Sequence, residues 1–268
     1  MKLALGSLAS GSSGNCYLVK TEKTKLLVDA GISGKQIFER LEKYGVKDLP
    51  DAVLITHEHS DHIAGIPALS KKGVEIISNE KTLSAICEKC SSKIGSKRTI
   101  TTGQRFSVGD IEIESFALSH DAADPCGFSF FSGGACISII TDTGYVTADC
   151  YKYMQKSQLL VLESNHDESM LRIGRYPWFL KQRILSNKGH LSNETAANAL
   201  VDVLKMDRLS GREQMRTVLL AHLSKENNFP EMAVATFNNI LEAEGFSAGK
   251  DVDLKTLSRT EQSGLYVL

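Results

Sequence analysis

The stretch THEHSDH, residues 56–62, places several metal-binding side chains in one short segment, directly after the apolar run AVLI, residues 52–55. The apolar run predicts a short buried strand. On an extended segment, His57 and His59 point to the same side, because side chains alternate with a period of two. The segment is therefore expected to begin with a pair of ligands that face one pocket.

A second ligand pair, Asp61 and His62, follows where the chain is expected to turn into a helix near Ser60. Two pairs that face one pocket are what a pair of metal ions a few ångströms apart requires. The alternative is a solvated turn in which the histidines serve as caps. Three of the seven histidines of the chain lie in this stretch, which favours the metal site.

The letters HEHSDH, residues 57–62, match the HxHxDH signature of the metallo-β-lactamase-fold hydrolases. The chain resembles this family, whose members use the signature to hold two divalent metals. The resemblance covers most of the chain. It implies a hydrolase with an αββα sandwich, in which helices cover two central sheets.

The composition is typical of a globular protein with a full core: 268 residues, of which 42% are hydrophobic and 24% charged. A net charge of −1 argues against a protein that coats nucleic acid by bulk charge, so such contact requires a local patch. No apolar stretch approaches the ~20 residues of a membrane span, and we expect no membrane partner. Six cysteines, mostly inside apolar segments, indicate reduced thiols in the cytoplasm rather than a disulfide framework.

Predicted strands and helices follow one another without a linker rich in proline or charge. We therefore expect one α/β hydrolase domain over residues 1–268, with two central sheets and outer helices. A helix is also expected near Cys150, and two short strands close the chain. Strands are predicted at residues 2–8, 16–20, 25–29, 52–55, 74–78, 111–118, 128–131, 136–141, 159–162 and 217–221, and helices at 35–44, 63–71, 81–89, 177–185, 193–204 and 230–244.

Further ligand-type residues, His120, Asp142 and His222, each follow a predicted apolar strand, as His57 does. Functional side chains are common at strand ends, where a rigid scaffold aims them into a shared cleft. A single histidine in such a place is more often structural than a ligand. The repetition of this context, in a chain that also carries HxHxDH, favours metal binding.

The family resemblance implies that these residues hold two divalent metal ions. The set is rich in nitrogen and oxygen and lacks thiolate, so it suits zinc or manganese, with iron as a further candidate. Metal coordination lowers the pKa of water from 15.7 to roughly 7, which supplies a nucleophile at neutral pH. This chemistry alone does not separate a phosphodiesterase from a lactamase or a thioesterase. By resemblance, the ligands are His57, His59 and His120 for one metal, Asp61, His62 and His222 for the other, and Asp142 for both.

Asp29 ends a predicted strand in the sequence VDAG, residues 28–31, and matches the supporting aspartate of the family. By resemblance it orients a metal ligand and does not itself bind metal. A helix cap or a turn former is also compatible with the sequence.

Three further motifs resemble the nuclease branch of this fold: ESNHD at residues 163–167, GHLSNETAA at 189–197 and AHLS at 221–224. In tRNA 3′-processing ribonucleases, the matching glutamate and helix-entry histidine help to protonate the leaving oxygen. The resemblance implies that His190 is the general acid and that Glu163 orients it or shares its proton. The alternative for His190 is a capping role.

Other residues near these motifs have less specific expectations. Asp61 is expected to anchor and orient the attacking hydroxide. His166 either lines the site or satisfies the turn at the strand end. Ser192 or Asn193 is a plausible cap for the helix that follows.

The loop SGSSGNC, residues 10–16, together with ESNHD and GHLSNETAA, resembles the YycJ/WalJ-type bacterial branch more closely. Members of this branch look like metal-dependent 5′-to-3′ DNA exonucleases linked with DNA repair. Ser12 and Ser13 would offer hydroxyls and backbone N–H groups to phosphate oxygens; the alternative is a flexible turn. The chain lacks the long insertion of ribonuclease J-like relatives between the strands near Glu163 and Thr217, which favours DNA over RNA.

Residues 169–193 contain basic and aromatic side chains but no Asp or Glu. Basic groups beside aromatic rings are the ingredients of a surface that binds a nucleic-acid strand. The alternative is a solvated charged face with the aromatic residues in the core. The candidate contacts are Arg172, Arg175, Lys181 and Trp178, the only tryptophan, and Tyr176, Phe179, Arg183 and Lys188 lie among them.

The sequence therefore favours a dinuclear metallohydrolase that cleaves phosphodiester bonds in nucleic acid. Two other functions compete with it. One is a small-molecule hydrolase, such as a cyclic phosphodiesterase or a thioesterase. The other is a non-catalytic nucleic-acid-binding protein that keeps metals for structure, against which the intact ligand set argues.

Overall fold

The computed structural model describes residues 2–90, 94–212 and 215–268. The strands are β1 Ala4–Ala9, β2 Cys16–Lys20, β3 Lys25–Val28, β4 Ala52–Leu54, β5 Glu75–Asn79, β6 Lys97–Ile100, β7 Arg105–Val108, β8 Ile111–Ala117, β9 Cys126–Ser132, β10 Ala135–Ile140, β11 Leu159–Glu163, β12 Arg216–Ala221, β13 Val252–Thr256 and β14 Leu265–Val267. The helices are α1 Gly34–Lys43, α2 Ser60–Ile63, α3 Ile66–Lys71, α4 Glu80–Lys89, α5 Ala148–Lys156, α6 Glu168–Ile173, α7 Trp178–Ile184, α8 Asn193–Leu209 and α9 Pro230–Ala243. Within these ranges, no helix is long and apolar enough to cross a bilayer.

Two compact units make up the described chain. One takes in the residues up to Ala117 together with Ala122–Ala135 and Ser258–Leu268; the other consists of Leu118–Asp121 and Cys136–Leu257.

The first unit contains a mixed sheet in the order β14-β1-β2-β3-β4-β5-β6. Strands β1 to β3 pair antiparallel, whereas β3 to β6 pair parallel. Apolar residues of α1 and α3, such as Ile37 and Leu69, pack with Leu27 and Val53 in a buried cluster. The parallel part matters for function, because the carboxyl ends of β3 and β4 lie at the same edge of the sheet.

The second unit contains the parallel strands β10 to β13, in the order β13-β12-β11-β10. Strand β11 is buried along its whole length, as expected for a strand in a parallel sheet covered on both faces. Glu163 at the end of β11 is in register with Ala221 at the end of β12. The residues that follow these strands are thereby brought to one edge. Ser192 caps the start of helix α8: its hydroxyl accepts from the Thr195 backbone N–H, which confirms one of the two expected caps.

Most elements begin and end within a few residues of their predicted positions, but β6, β7 and α6 lie outside the predicted set. Strands β6 and β7 each lie at the edge of their sheets and consist largely of exposed or half-buried residues. Because these strands have no buried face, their sequences lack the apolar pattern that indicates a strand.

The single helix predicted over residues 63–71 is wrong, because Gly65 divides it into α2 and α3. The backbone N–H of Gly65 donates to the Ala30 carbonyl at 2.7 Å. A Cβ atom at Gly65 would lie 2.6 Å from the Ile32 carbonyl oxygen, so this approach requires glycine. The contact ties the start of α3 to the loop that follows β3.

Candidate metal centre and active site

Three of the predicted site residues occupy an unusual backbone conformation directly after a strand. Asp29 follows β3, Asp142 lies just after β10 and His222 follows β12, with φ angles of 58°, 62° and 56°. Among the described residues, they are the non-glycine positions with positive φ. This conformation is unfavourable for residues with a side chain and clusters at functional sites, where the surrounding structure enforces it. Each of these three strands is therefore followed by a sharp turn that carries a polar side chain.

The THEHSDH segment brings its own ligands together within the first unit. The ring of His57 lies 4.6 Å from that of His59 and 4.1 Å from that of His62, centroid to centroid. Asp61 Oδ2 lies 3.5 Å from His62 Nε2. The backbone is extended at His59, and α2 begins at Ser60, as predicted. His57 and His62 are buried, while His59 and Asp61 are partly exposed.

Asp29 lies against the histidine segment and contacts its side chains and backbone. It is fully buried, with Oδ2 at 2.7 Å from His62 Nδ1, and its Oδ1 accepts from the Thr56 backbone N–H at 2.9 Å. The Thr56 hydroxyl lies 2.9 Å from Asp29 Oδ2 and 3.0 Å from His57 Nδ1. Burial raises the pKa of Asp29, although its contacts with His62 and Thr56 oppose the rise. The supporting role of Asp29 stays a prediction, and this arrangement is the one that it requires.

Asn15 contributes to the same set, although the sequence does not single it out. Its Nδ2 lies 3.1 Å from His62 Nε2 and 3.5 Å from Asp61 Oδ2. Its backbone N–H donates to the Asp61 carbonyl at 2.8 Å. The only available signal was its position at the end of the glycine-serine loop. The loop is thereby anchored to the ligand segment through Asn15, with Ser12 and Ser13 exposed.

Gly31 allows the loop after β3 to approach the ligand segment closely. A Cβ atom at this position would lie 1.6 Å from the Asp61 carbonyl oxygen. The Gly31 N–H also donates to the Asn15 carbonyl at 2.8 Å. A side chain at Gly31 would displace the backbone that carries Asp61.

The second unit contains a buried carboxylate, Glu163, that accepts from four donors. Its Oε1 lies 2.8 Å from both His190 Nδ1 and His222 Nδ1. Its Oε2 accepts from the backbone N–H groups of Thr143 at 3.0 Å and Leu191 at 3.2 Å. Burial opposes ionisation, but the charges and hydrogen bonds of the two histidines outweigh it and hold the pKa of Glu163 well below its ordinary value. Glu163 is therefore a carboxylate that fixes both rings.

Asp142 lies beside this network. One ligand-type atom from each of Asp142, Glu163, His190 and His222 falls within 4.8 Å of the others. Asp142 Oδ1 is 3.4 Å from His222 Nδ1 and 3.7 Å from His190 Nδ1. The side chain of His190 is 15% exposed, whereas those of the other three residues are at most 3% exposed. His190 is thus the member of this group that reaches solvent.

His120 is held by the loop that precedes His190. Its Nδ1 donates to the Gly189 carbonyl at 3.0 Å, and its ring centroid lies 5.0 Å from that of His190. Burial lowers the pKa of His120, although nearby Asp142 opposes the shift. A neutral imidazole is the form that binds a metal ion.

His166 is buried to 1% exposure within the second unit. Neither ring nitrogen has a hydrogen-bond partner among the described residues, so the side chain does not satisfy the strand-end turn. Burial lowers the pKa of His166 to about 4, although nearby Glu163 opposes the shift. His166 is therefore a neutral imidazole that the fold leaves unsatisfied.

The orientation of the imidazoles fits divalent metal ions. In each of four histidines, Nδ1 is engaged by an oxygen atom, which leaves Nε2 as the atom for a metal. At His62 a metal ion would replace the contact between Nε2 and Asn15. The donors are nitrogen and oxygen, which suits zinc, manganese or iron. The oxygen atoms that engage Nδ1 belong to Thr56 for His57, Asp29 for His62, Gly189 for His120 and Glu163 for His222.

The sequence of residues 24–209 matches the protein-family model described as the beta-lactamase superfamily domain. The chain belongs to the metallo-β-lactamase superfamily. The superfamily fold is shared with the metallo-β-lactamase fold protein YhfI from Bacillus subtilis, at a TM-score of 0.73 and 17% identity over 100% of both chains. The predicted metallo-β-lactamase αββα fold and the predicted hydrolase class are thus confirmed.

Two superfamily relatives match most of the chain. The exodeoxyribonuclease YycJ of Bacillus anthracis is 42% identical over 265 residues, which cover 95% of this chain and 95% of the relative. The exodeoxyribonuclease WalJ of Streptococcus pneumoniae serotype 2 is 44% identical over 250 residues, which cover 91% and 90%. The predicted membership of the YycJ/WalJ-type branch is confirmed.

In this superfamily member, the predicted nucleic-acid contacts of residues 169–193 differ in exposure. Arg172, Arg175 and Trp178 are exposed. Lys181, in contrast, is buried, with only 9% of its surface exposed. Its Nζ donates to the Arg172 carbonyl at 2.7 Å. Trp178 and Phe179 do not belong to the core, so the alternative that places these aromatic rings in the interior is wrong.

Proposed function

We propose that this protein is a DNA exonuclease that digests from the 5′ end, acts in DNA repair, and uses two divalent metal ions. The coarser class, a nuclease of the metallo-β-lactamase fold, is supported by the relatives named exodeoxyribonuclease, which match over 90% or more of both chains. The observation that best supports phosphodiester hydrolysis is the contact between buried Glu163 and partly exposed His190.

The metal ligands follow the family signature. Bound there, two manganese or zinc ions, or iron, would neutralise phosphate charge and lower the pKa of water to roughly 7. As proposed ligands, His57, His59 and His120 serve one ion, Asp61, His62 and His222 serve the other, and Asp142 serves both.

His190 donates the proton that the leaving oxygen requires. A phosphodiester releases a poor alkoxide, so a positioned acid accelerates the reaction. Glu163 holds Nδ1 of His190 and stabilises the charged imidazolium, while Nε2 exchanges the proton. The same carboxylate oxygen also holds His222, so the acid and a metal ligand are positioned together.

Asp61 and Asp29 position the other groups. The partly exposed carboxylate of Asp61 orients the attacking water, and Asp29 fixes His62 at 2.7 Å. The exposed hydroxyls of Ser12 and Ser13 bind phosphate oxygens. Arg172 and Arg175 add positive charge for the strand, and Lys181 braces the segment that carries them.

The proposed substrate is DNA in preference to RNA, and the proposed location is the cytoplasm. Four of the six cysteines are buried thiols, as expected for a protein in a reducing compartment.

A panel of end-labelled oligonucleotides tests this function. The metal-stripped protein receives manganese or zinc and is offered single- and double-stranded DNA and RNA of one sequence. Blocking either end with phosphorothioates reports the direction. We expect stepwise digestion of DNA that a 5′ block stops and a 3′ block does not.

The same panel separates the competing functions. Hydrolysis of bis-p-nitrophenyl phosphate without digestion of any oligonucleotide would assign a small-molecule phosphodiesterase. Binding of DNA without turnover of either substrate, at full metal occupancy, would assign a non-catalytic protein. Digestion of RNA alone would overturn the DNA assignment.

A further inference from the structure

Large apolar side chains remain exposed on one short segment of the second unit, around α6 and α7. Ile173, Trp178 and Phe179 are 87%, 66% and 73% exposed. Such rings bury little of their apolar area in the fold, so packing does not account for their placement. Their exposure indicates a surface that is covered by a partner.

Helix α7 has one face with rings and an opposite face that is anchored. Trp178 and Phe179 are exposed, as is Arg183, which follows Phe179 by one helical turn. Lys181 and Ile184 are buried. The two neighbouring rings therefore stand on a supported helix.

The charge around the rings favours a polyanion. No Asp or Glu occurs in residues 169–193. Arg172 and Arg183 are each paired with a carboxylate from outside this range. Arg175 and Lys188 are exposed and form no ion pair with any residue that the structure describes. A partner that covers this surface should supply anionic groups together with flat apolar faces.

Single-stranded nucleic acid supplies both. Its phosphates match the cations, and each unpaired base offers a face that stacks on an aromatic ring, whatever the sequence. A duplex keeps its base faces inside its own stack, so it would leave the rings uncovered. An apolar partner without negative charge would leave Arg175 and Lys188 unmatched.

The surface is joined rigidly to the proposed acid. Lys181 Nζ donates to the Arg172 carbonyl at 2.7 Å, which fixes α7 to α6. At the other end of α7, the Ile184 carbonyl accepts from the His190 N–H at 3.0 Å. Ile184 follows Trp178 by six positions along the helix, a rise of about 9 Å. Bases stacked on the rings would thus lie within a few nucleotides of His190.

We propose that Trp178 and Phe179, with the cations Arg175 and Lys188, form a stacking platform that holds a single-stranded DNA end next to His190. The proposal rests on the proposed function, because it concerns the substrate of that same site. Under this proposal, the protein binds single-stranded DNA more tightly than duplex DNA.

Binding without turnover provides the test. Trp178 is the single tryptophan of the chain, so its fluorescence reports directly on the platform. The full-length protein, held metal-free by a chelator, is titrated with a 20-nucleotide oligo-dT and with a duplex of equal length. We expect saturable quenching by the single strand, tighter than by the duplex, with affinity that falls as salt rises.

Variants locate the binding. Labelled oligo-dT followed by anisotropy should show affinity losses of roughly 5- to 150-fold for Trp178→Ala and for Phe179→Ala, with recovery in Trp178→Tyr. Arg175→Ala should weaken binding and make the salt dependence shallower by about 0.7 in log–log slope. Leu209→Ala removes a side chain that is 89% exposed elsewhere in the second unit, and Lys250→Ala removes an exposed cation; both should bind as the wild type does.

These experiments test the stacking platform independently of the proposed exonuclease activity. Equal affinity of the wild type, Trp178→Ala and Phe179→Ala, all confirmed as folded by circular dichroism, would overturn the proposal. So would light scattering that shows a dimer of this chain which Trp178→Ala dissociates. If the variants lose binding while the metal-loaded wild type digests no DNA, the platform stands and the proposed exonuclease function fails.

Discussion

Glu163 is a buried carboxylate that contacts two histidines with different proposed roles. Its Oε1 is 2.8 Å from Nδ1 of both His190 and His222. One of these histidines is the proposed acid and the other a proposed metal ligand. A single carboxylate therefore fixes the ring orientation of both, and the neutral state of Glu163 is disfavoured by both.

Replacement of His190 by glutamine tests whether His190 acts as a general acid or as a metal ligand. We expect turnover of single-stranded DNA to fall by roughly 10²- to 10⁴-fold, because the leaving oxygen loses its proton donor. Metal content, measured by plasma mass spectrometry, should stay at the wild-type value. Asn198→Ala, at an exposed position on α8, is the control and should change neither quantity. Loss of a metal ion from His190→Gln would reassign His190 as a ligand.

His166 makes stability depend on pH in a predictable direction. In the unfolded chain a histidine binds a proton near pH 6.5, whereas burial lowers the pKa of folded His166 to about 4. Between these values the unfolded state binds more protons, so stability falls as pH falls. At pH 5 the loss from His166 is about 2 kcal/mol.

Urea unfolding of the metal-free protein at pH 7 and pH 5 measures this loss. His166→Gln should lose about 2 kcal/mol less than the wild type over the same interval, whatever its stability at pH 7. Identical losses in the two proteins would show that folded His166 takes up its proton as an exposed histidine does.

At the scale of elements, predicted site residues follow strand ends within each unit: Asp29 follows β3 in the first unit, and Asp142 and His222 follow β10 and β12 in the second. The chain turns sharply after β3, β10 and β12. Positive φ angles at Asp29, Asp142 and His222 record these turns. The register of the strands in the sheet thus fixes where the side chains that follow them lie.

Gly31→Ala tests how tightly the loop after β3 is packed on the ligand segment. The new methyl group would collide with the Asp61 carbonyl, and overpacking of this kind destabilises by roughly 1–3 kcal/mol. We also expect weaker metal binding, because the backbone of Asp61 must move. Thermal unfolding and metal titration measure the two effects.

Gly264→Ala is the matched control for this change. A Cβ atom at Gly264 meets no described atom within 4 Å, so stability and metal affinity should remain those of the wild type. Equal behaviour of the two alanine variants would contradict the close approach of Gly31 to Asp61.

At the scale of the whole molecule, the sequence predicted the fold where burial leaves a pattern. Buried parallel strands such as β11 and β12 read as continuous apolar runs, each followed by a ligand-type residue. Edge strands β6 and β7 have no buried face and left no such pattern. The signature HxHxDH was specific enough to identify the superfamily from six residues.

The supporting contacts of the site could not be predicted in this way. Asn15 reaches His62 across 47 positions of the sequence, and Gly189 holds His120 across 69. Such contacts depend on loop geometry, and several use backbone atoms, which every residue possesses. The exposure of Trp178 was likewise undecidable, because an aromatic residue on a short helix suits a core or a surface equally well.

We propose that the predicted ligands hold two metal ions and that DNA digestion depends on both ions. The most direct measurement strips the protein of metal, titrates manganese or zinc back, and follows bound metal per chain together with digestion of 5′-labelled single-stranded DNA. We predict that digestion is absent in chelator and reaches its maximum as two ions are bound per chain, and that His59→Ala neither retains metal nor digests DNA. Full digestion in excess chelator, or by His59→Ala without bound metal, would show that the protein digests DNA without these ions.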